Sequence, residues 1–352
     1  MKFQSCASSA LSEFAARKEL PMSHLRFGVQ FLDEALRGIF PDDVVLLGAP
    51  SGAGKTQLCC NIALSNLIDG KKVHYIALEA GRFEIERRLK FPMVYERWLS
   101  DPNRPKLNGR LTYSSWIAGD HLAELEPYEQ AAAEVFETAF RDLFLFYKHQ
   151  HFGIRELVDA VLTCSKSTDL ILIDHVHYFD FDDENENRAI KEIAKTVRLL
   201  ALEEQKPIVL VAHLRKRDKA NEDLVAGLEE FMGSSDLYKI ATKVITMAPG
   251  RITDEEGWFE TFFRIPKNRL DSSPTRFLAR EFFNPKRGTY EVDKYQLGWA
   301  EQKRSAGFAE IDRSKYPEWA RLRASLLSGS SKGAPVVSVE RSRKSTLSRV
   351  LK

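Results

Sequence analysis

Residues 48–56 read Gly-Ala-Pro-Ser-Gly-Ala-Gly-Lys-Thr, and three further polar residues, Glu79, Asp174 and His213, each close an apolar run. The glycine-rich segment has the chemistry of a triphosphate cradle. Glycines let backbone N–H groups approach phosphate oxygens closely, and a helix start adds unpaired donors and a partial positive charge. In that arrangement Ala49, Pro50, Ser51, Gly52, Ala53 and Gly54 line the cradle and Lys55 reaches the outer phosphates. Thr56 offers its hydroxyl to Mg²⁺, and Gln57 continues into the helix. Ala49 stands where the strict eight-residue pattern has glycine. A glycine-rich turn can merely cap a helix, but the Gly-Lys-Thr ending, the strand before it and the helix after it argue for a nucleoside triphosphate. Asp174 ends the run Leu170-Ile171-Leu172-Ile173, the position of an acid that holds Mg²⁺ directly or through water. Many strands end in Asp, so this sign gains its weight from the phosphate loop upstream. Glu79 ends another strand; a carboxylate there could deprotonate an attacking water or, equally, complement a helix dipole. His213 could hydrogen-bond a γ-phosphate and report its loss, or be a core histidine at a strand end.

These residues need a scaffold that brings strand ends together. Residues 44–47 form an apolar strand, and the segment 57–64 after the glycine loop reads as helix. Strand 73–78 leads to Glu79, and an amphipathic helix follows through Phe83, Ile85 and Leu89. Residues 91–140 contain Pro92, Pro102 and Pro105 and then an Ala- and Glu-rich helical stretch, which reads as an insertion. Strand 143–147, helix 154–164, strand 170–174, helix 186–204 and strand 208–213 complete an alternation of continuous apolar strands with helices. That pattern predicts an α/β fold with a mainly parallel sheet covered on both faces. Residues 243–247 and 259–265 and the turn at 284–288 are expected as antiparallel additions at one edge. The expected organisation is a polar, helical lead-in over 1–24, a core over 25–299, a helical extension over 300–327 centred on a helix at 316–327, and a Ser-, Gly- and Arg/Lys-containing tail over 328–352 whose composition favours disorder.

The 352 residues are 43% hydrophobic and 29% charged, with a formal net charge of +2, so any surface for nucleic acid must be local. Cys6, Cys59, Cys60 and Cys164 form no C-x-x-C pair; Cys59 and Cys60 lie in the phosphate-loop helix, where packing is the expected role. Reduced cysteines suit a cytoplasmic protein. No apolar run approaches the roughly 18 residues of a membrane span, and the first residues lack a signal-peptide core.

Six segments in this order resemble the motor domain of DnaB-type replicative helicases and their mitochondrial and phage relatives, ring ATPases of the RecA fold. They are residues 48–56, Ala77-Leu78-Glu79, Leu172-Ile173-Asp174-His175, residues 211–216, Gly233-Ser234-Ser235 and Pro266-Lys267-Asn268-Arg269. The resemblance implies a RecA-like P-loop NTPase that hydrolyses ATP with Mg²⁺ and assembles as a homo-oligomer, a hexameric ring, on single-stranded DNA. By the same resemblance Glu79 is the catalytic base and His213 the γ-phosphate sensor. Lys267 and Arg269, at the tip of a late hairpin, are the basic pair given to the neighbouring subunit's nucleotide. Without it they would read as surface charges on a turn.

Several features depart from that family. A helical collar or primase domain is expected ahead of such a motor, whereas residues 1–24 read as a short lead-in. The segment 180–186 carries five acids in seven residues, which repel a phosphate backbone, and Met232 stands where an arginine is common. Against this, Arg215, Lys216, Arg217 and Lys219 follow the sensor strand, where single strands are often contacted, although such a run can also be a solvated loop. His175 and His177 alternate on one face, as do His149 and His151, without the further ligands a metal site needs. Tyr178 and Phe179 read as core before they read as a base-stacking platform. The alternative function is a regulatory or recombination-linked ATPase that controls a protein partner without translocation. The tail is a further candidate for contact with a protein partner.

Overall fold

The computed structural model describes residues 6–19, 25–181, 186–214, 223–231, 235–253 and 257–320. Strand β1 (Val44–Ala49) is buried along its whole length and feeds the glycine loop and helix α3 (Lys55–Ile68), after the short helices α1 (Cys6–Glu19) and α2 (Gln30–Leu36). Strand β2 (Val73–Ala77) is followed by α4 (Glu84–Ser100), α5 (Tyr113–Ile117) and α6 (Leu122–Ala139). Then come β3 (Leu143–Tyr147), α7 (Ile154–Cys164), β4 (Leu170–Asp174), α8 (Glu186–Glu204), β5 (Ile208–His213) and α9 (Ser235–Ile240). The chain closes with β6 (Lys243–Thr253), β7 (Trp258–Asn268), β8 (Phe277–Asn284), β9 (Thr289–Tyr290) and β10 (Gln296–Trp299).

All but β9 lie in the order β10-β8-β7-β6-β1-β5-β4-β2-β3, with β9 paired to β8. The pairs from β6 through β3 are parallel, and those from β6 outward through β7, β8 and β10 are antiparallel. The two faces of β1 show why its sequence is apolar throughout. Val45 and Leu47 pack with α2, α3 and α4, while Val44 and Leu46 pack with α7, α8 and α9. Successive strand residues point to opposite faces, so a strand covered on both sides has no polar position to spare. The covering helices supply matching stripes, such as Ile190, Ile193, Ala194, Val197, Leu200 and Ala201 of α8, at helical spacing.

Residues 243–247 are not an antiparallel edge: β6 pairs in parallel with β1, from Val45↔Lys243 to Gly48↔Thr246. Helix α9 provides the crossover that parallel pairing requires, and the antiparallel edge begins only at β7. The boundary of the expected insertion also shifts. Helix α4 runs through Pro92 to Ser100, so residues 91–100 belong to the helix that follows β2. Beyond it α6 packs back on α4, around an aromatic cluster in which the Phe91 ring lies 5.6 Å from Tyr113 and 5.5 Å from Trp116. Strands β8 and β10 had no counterpart in the sequence reading. Of the expected helix at 316–327, residues 318–320 are helical. The remainder of it and the tail from 328 lie outside the described residues.

Candidate active site

Parallel pairing aligns Ala49 with His213 and Ala77 with Asp174, so the carboxyl ends of β1, β5, β2 and β4 share one edge. Ligands of open parallel sheets bind at that edge. The glycine loop turns there: Gly52 and Gly54 take φ of 76° and 93°, left-handed values that L side chains rarely adopt. Gly54 caps α3, and no side chain occupies its cap, which leaves the first amides of the helix directed at the loop. Lys55 is buried, with its Nζ 3.3 Å from the Ala49 carbonyl, 3.2 Å from the Pro50 carbonyl and 3.1 Å from His213 Nδ1. The Thr56 hydroxyl donates to Asp174 Oδ2 at 2.9 Å, tying the phosphate-loop helix to β4. Tyr75, buried in β2, donates its hydroxyl to the same oxygen at 3.0 Å.

Burial dominates the electrostatics. Desolvation raises the Asp174 carboxyl above its ordinary range, with the Thr56 and Tyr75 hydrogen bonds opposing it. Desolvation also lowers the Lys55 ammonium, against the pull of Glu79 and Asp174. Both shifts run towards the uncharged form, so each group gains from a counter-charge: a phosphate beside Lys55 and a cation beside Asp174. The second Asp174 oxygen, Oδ1, is buried without a hydrogen-bond partner among the described residues. A buried carboxylate oxygen next to a threonine hydroxyl is the oxygen-only donor set that Mg²⁺ prefers, so Thr56 and Asp174 fit that ion.

Glu79 follows β2, and its amide and that of Leu78 both donate to the Asp174 carbonyl, at 3.3 and 2.7 Å. Its carboxylate lies 3.0 Å from Nε2 of the fully buried His175 and accepts a hydrogen bond from Tyr178. Burial, with His213, His177 and Lys55 close by, drives the His175 imidazolium down to about 2, so the ring is neutral. The His213 ring meets the His175 ring edge-on at 4.0 Å, and burial with the nearby Lys55 lowers its pKa as well. The structure thus gathers Lys55, Thr56, Glu79, Asp174 and His213 at one sheet edge, with Ala49, Pro50, Ser51, Gly52, Ala53, Gly54 and Gln57 forming the loop and the helix start.

Lys267 and Arg269 are not part of this cluster. Lys267 pairs with Val244, and Val244 with Leu46, three residues before Ala49 on β1; at a strand rise of ~3.3 Å this is roughly 10 Å below the loop, and two strands away. Both side chains close the end of α9: Lys267 Nζ donates to the carbonyls of Tyr238 and Lys239 at 2.6 and 3.0 Å, and Arg269 to that of Lys239 at 3.2 Å. Arg215, Lys216, Arg217 and Lys219 lie outside the described residues, as do Met232, Gly233 and Ser234. The sequence reading missed Tyr75, which looks like any core aromatic, and the contact of His175 with Glu79. Tyr178 is 41% exposed and reaches Glu79, whereas Phe179 is core as expected. The Cys59 and Cys60 thiols are buried, and burial pushes Cys60 up to about 12, as suits packing groups.

A phosphate loop, a strand-end acid and a carboxylate at the edge of a parallel sheet continued by antiparallel strands define a RecA-like P-loop NTPase. Within that class the chain belongs to the family described as the DnaB-like helicase C terminal domain, whose model matches residues 25–273. Membership makes it an ATP-hydrolysing enzyme of the helicase type. Two solved structures share the fold at 15% identity. One is an ATPase domain, with TM-score 0.64, covering 82% of this chain and 99% of that one. The other, described as a DnaB-like replicative helicase and its interactions with primase, has TM-score 0.62, covering 82% of this chain and 67% of that one. No curated protein matches the sequence.

Proposed function

We propose that this chain is the motor of a Mg²⁺-dependent, ring-forming ATPase that acts on single-stranded DNA, in replication or the maintenance of a mobile element. The Thr56–Asp174 hydrogen bond carries the reading, because it sets a metal-binding hydroxyl against a buried acid beside the phosphate loop. The loop amides and Lys55 hold the β- and γ-phosphates, and Lys55 leaves the carbonyls of Ala49 and Pro50 to do so. Glu79 accepts the proton of the attacking water, and His213 hydrogen-bonds the γ-phosphate. Thr56 and Asp174 would hold Mg²⁺, which would supply positive charge to the phosphates during transfer. Lys267 and Arg269 serve the nucleotide of a neighbouring subunit, consistent with their distance from the loop of their own chain. Arg215, Lys216, Arg217 and Lys219 contact the strand.

A second reading, a regulatory ATPase that controls a protein partner without translocation, is favoured by the acids of 180–186. One of them is already accounted for: Asp180 accepts from Lys148 Nζ and from the Phe152 amide, each at 2.7 Å. The two readings separate in one assay, the rate of ATP hydrolysis with and without single-stranded DNA across a salt series. Stimulation that fades as salt rises supports the motor. A rate indifferent to DNA, with no strand binding in the presence of ATP and Mg²⁺, supports the regulator.

A further inference from the structure

Of the groups around the phosphate loop, His175 is the one that neither nucleotide nor metal chemistry explains. It is fully buried, directly after Asp174, and its ring lies between Glu79, Tyr178 and His213. Its Nδ1 accepts the backbone N–H of His177 at 3.3 Å. That bond occupies the Nδ1 lone pair and so places the ring proton of the neutral imidazole on Nε2. Nε2 has no well-aligned hydrogen-bond partner among the described residues, and Glu79 Oε2 stands 3.0 Å from it. A buried N–H gains from an acceptor, and a small rotation of the exposed Glu79 side chain supplies one. The Tyr178 hydroxyl already donates to that carboxylate.

Glu79, His175 and His213 also present ligand atoms within 4.8 Å of one another, close enough for a metal ion. The proton on Nε2 makes that nitrogen a donor instead of a ligand, and the Lys55 ammonium beside His213 opposes a cation. We propose that His175 is a positioning residue for Glu79, holding through its Nε2–H, together with Tyr178, the carboxylate that receives the proton of the attacking water. The proposal rests on the reading of Glu79 as the base. A carboxylate with two fixed donors keeps one of its lone pairs directed at the water position, the role that outer-shell partners play for other reactive groups.

Two substitutions separate positioning from space-filling. His175→Asn keeps an acceptor for the His177 amide but cannot reach Glu79, whereas His175→Gln carries an N–H to about the place of Nε2. In the full chain, His175→Asn is expected to lower kcat for ATP about 10- to 100-fold with KM little changed, and His175→Gln to recover most of the rate. Equal losses in both, or no loss in His175→Asn, overturn the proposal. If neither variant folds, Tyr178→Phe carries the test, since Tyr178 is exposed. A several-fold fall in kcat at unchanged Tm is expected, and an unchanged kcat overturns the two-donor arrangement. Glu79→Gln in the same assay keeps the two readings apart. A normal rate there removes Glu79 as base, while an inactive Glu79→Gln beside a fully active His175→Asn removes only the positioning. Zn²⁺ competition against a chromophoric chelator gives a further reading. Tight binding by the intact protein that is lost in His175→Asn would make Nε2 a ligand and overturn the proposal.

Discussion

At the scale of single residues, the site is built by burying charges and leaving their partners to the ligand. Asp174 and Lys55 are both pushed towards neutrality, and a cation beside the one and a phosphate beside the other would each favour the charged form. Lys55→Ala is therefore expected to abolish both hydrolysis and the binding of a fluorescent ATP analogue; hydrolysis at the normal rate in that variant would remove the loop from the mechanism. Tyr75 has a quieter role. Its hydroxyl and that of Thr56 share Asp174 Oδ2, which fixes the carboxylate and leaves Oδ1 without a hydrogen-bond partner among the described residues, free to serve the proposed Mg²⁺. Tyr75→Phe should raise the Mg²⁺ concentration for half-maximal ATPase about 10-fold while the rate at saturating Mg²⁺ recovers. An unchanged Mg²⁺ titration would make Tyr75 a packing residue only. The loop and the strand-end acid were legible because their chemistry demands particular residues at particular spacings. Tyr75 was not, because an aromatic in a buried strand carries no mark of what its hydroxyl meets.

At the scale of elements, most of the parallel half of the sheet was readable, since β4, β5, α7 and α8 have the bounds their apolar patterns predict, while β6, which pairs in parallel with β1, was expected at the antiparallel edge. In the antiparallel half β7 was expected, as the strand at 259–265, but β8 and β10 were not. Its strands are covered unevenly, and β8 places a glutamate, Glu281, in the core. That carboxyl accepts only the Phe31 amide, at 3.0 Å, from the first turn of α2, and its other oxygen has no partner among the described residues. Burial, reinforced by Glu34 and Asp33, raises it to about 8. Between the ordinary glutamate range and about pH 8 the native state holds this proton and the unfolded chain does not, so stability falls as pH rises through that window. Glu281→Gln removes the titration and retains an acceptor for Phe31. The variant should gain on the wild type by roughly 3–5 kcal/mol between pH 5 and pH 8. Urea unfolding at several pH values measures that difference, and a constant gap across the range would show that Glu281 does not titrate in the core.

At the scale of the whole molecule, the pairing registers decide which residues one chain can bring to its own nucleotide. Glu79 and the phosphate loop lie at the carboxyl edge of the sheet, while Lys267 and Arg269 lie towards its other edge and close the end of α9. Burial, with Arg269 and Arg198 nearby, lowers Lys267 to about 8. If the pair only closes α9, Arg269→Ala will lower Tm slightly and leave hydrolysis per folded chain intact. If it acts across a subunit boundary, Arg269→Ala and Glu79→Gln should each be nearly inactive alone and active when mixed. Each composite site takes Glu79 from one subunit and Arg269 from the next, so random equal mixing completes about a quarter of the sites when the basic residue is supplied in trans. Independent sites would then restore up to about a quarter of the wild-type rate, and obligate succession around a ring would restore less. Light scattering must show mixed assemblies before the comparison is made. Confirmed mixed assemblies that hydrolyse no faster than the single variants would confine Lys267 and Arg269 to the end of α9, and the motor would need another source of positive charge at its transition state.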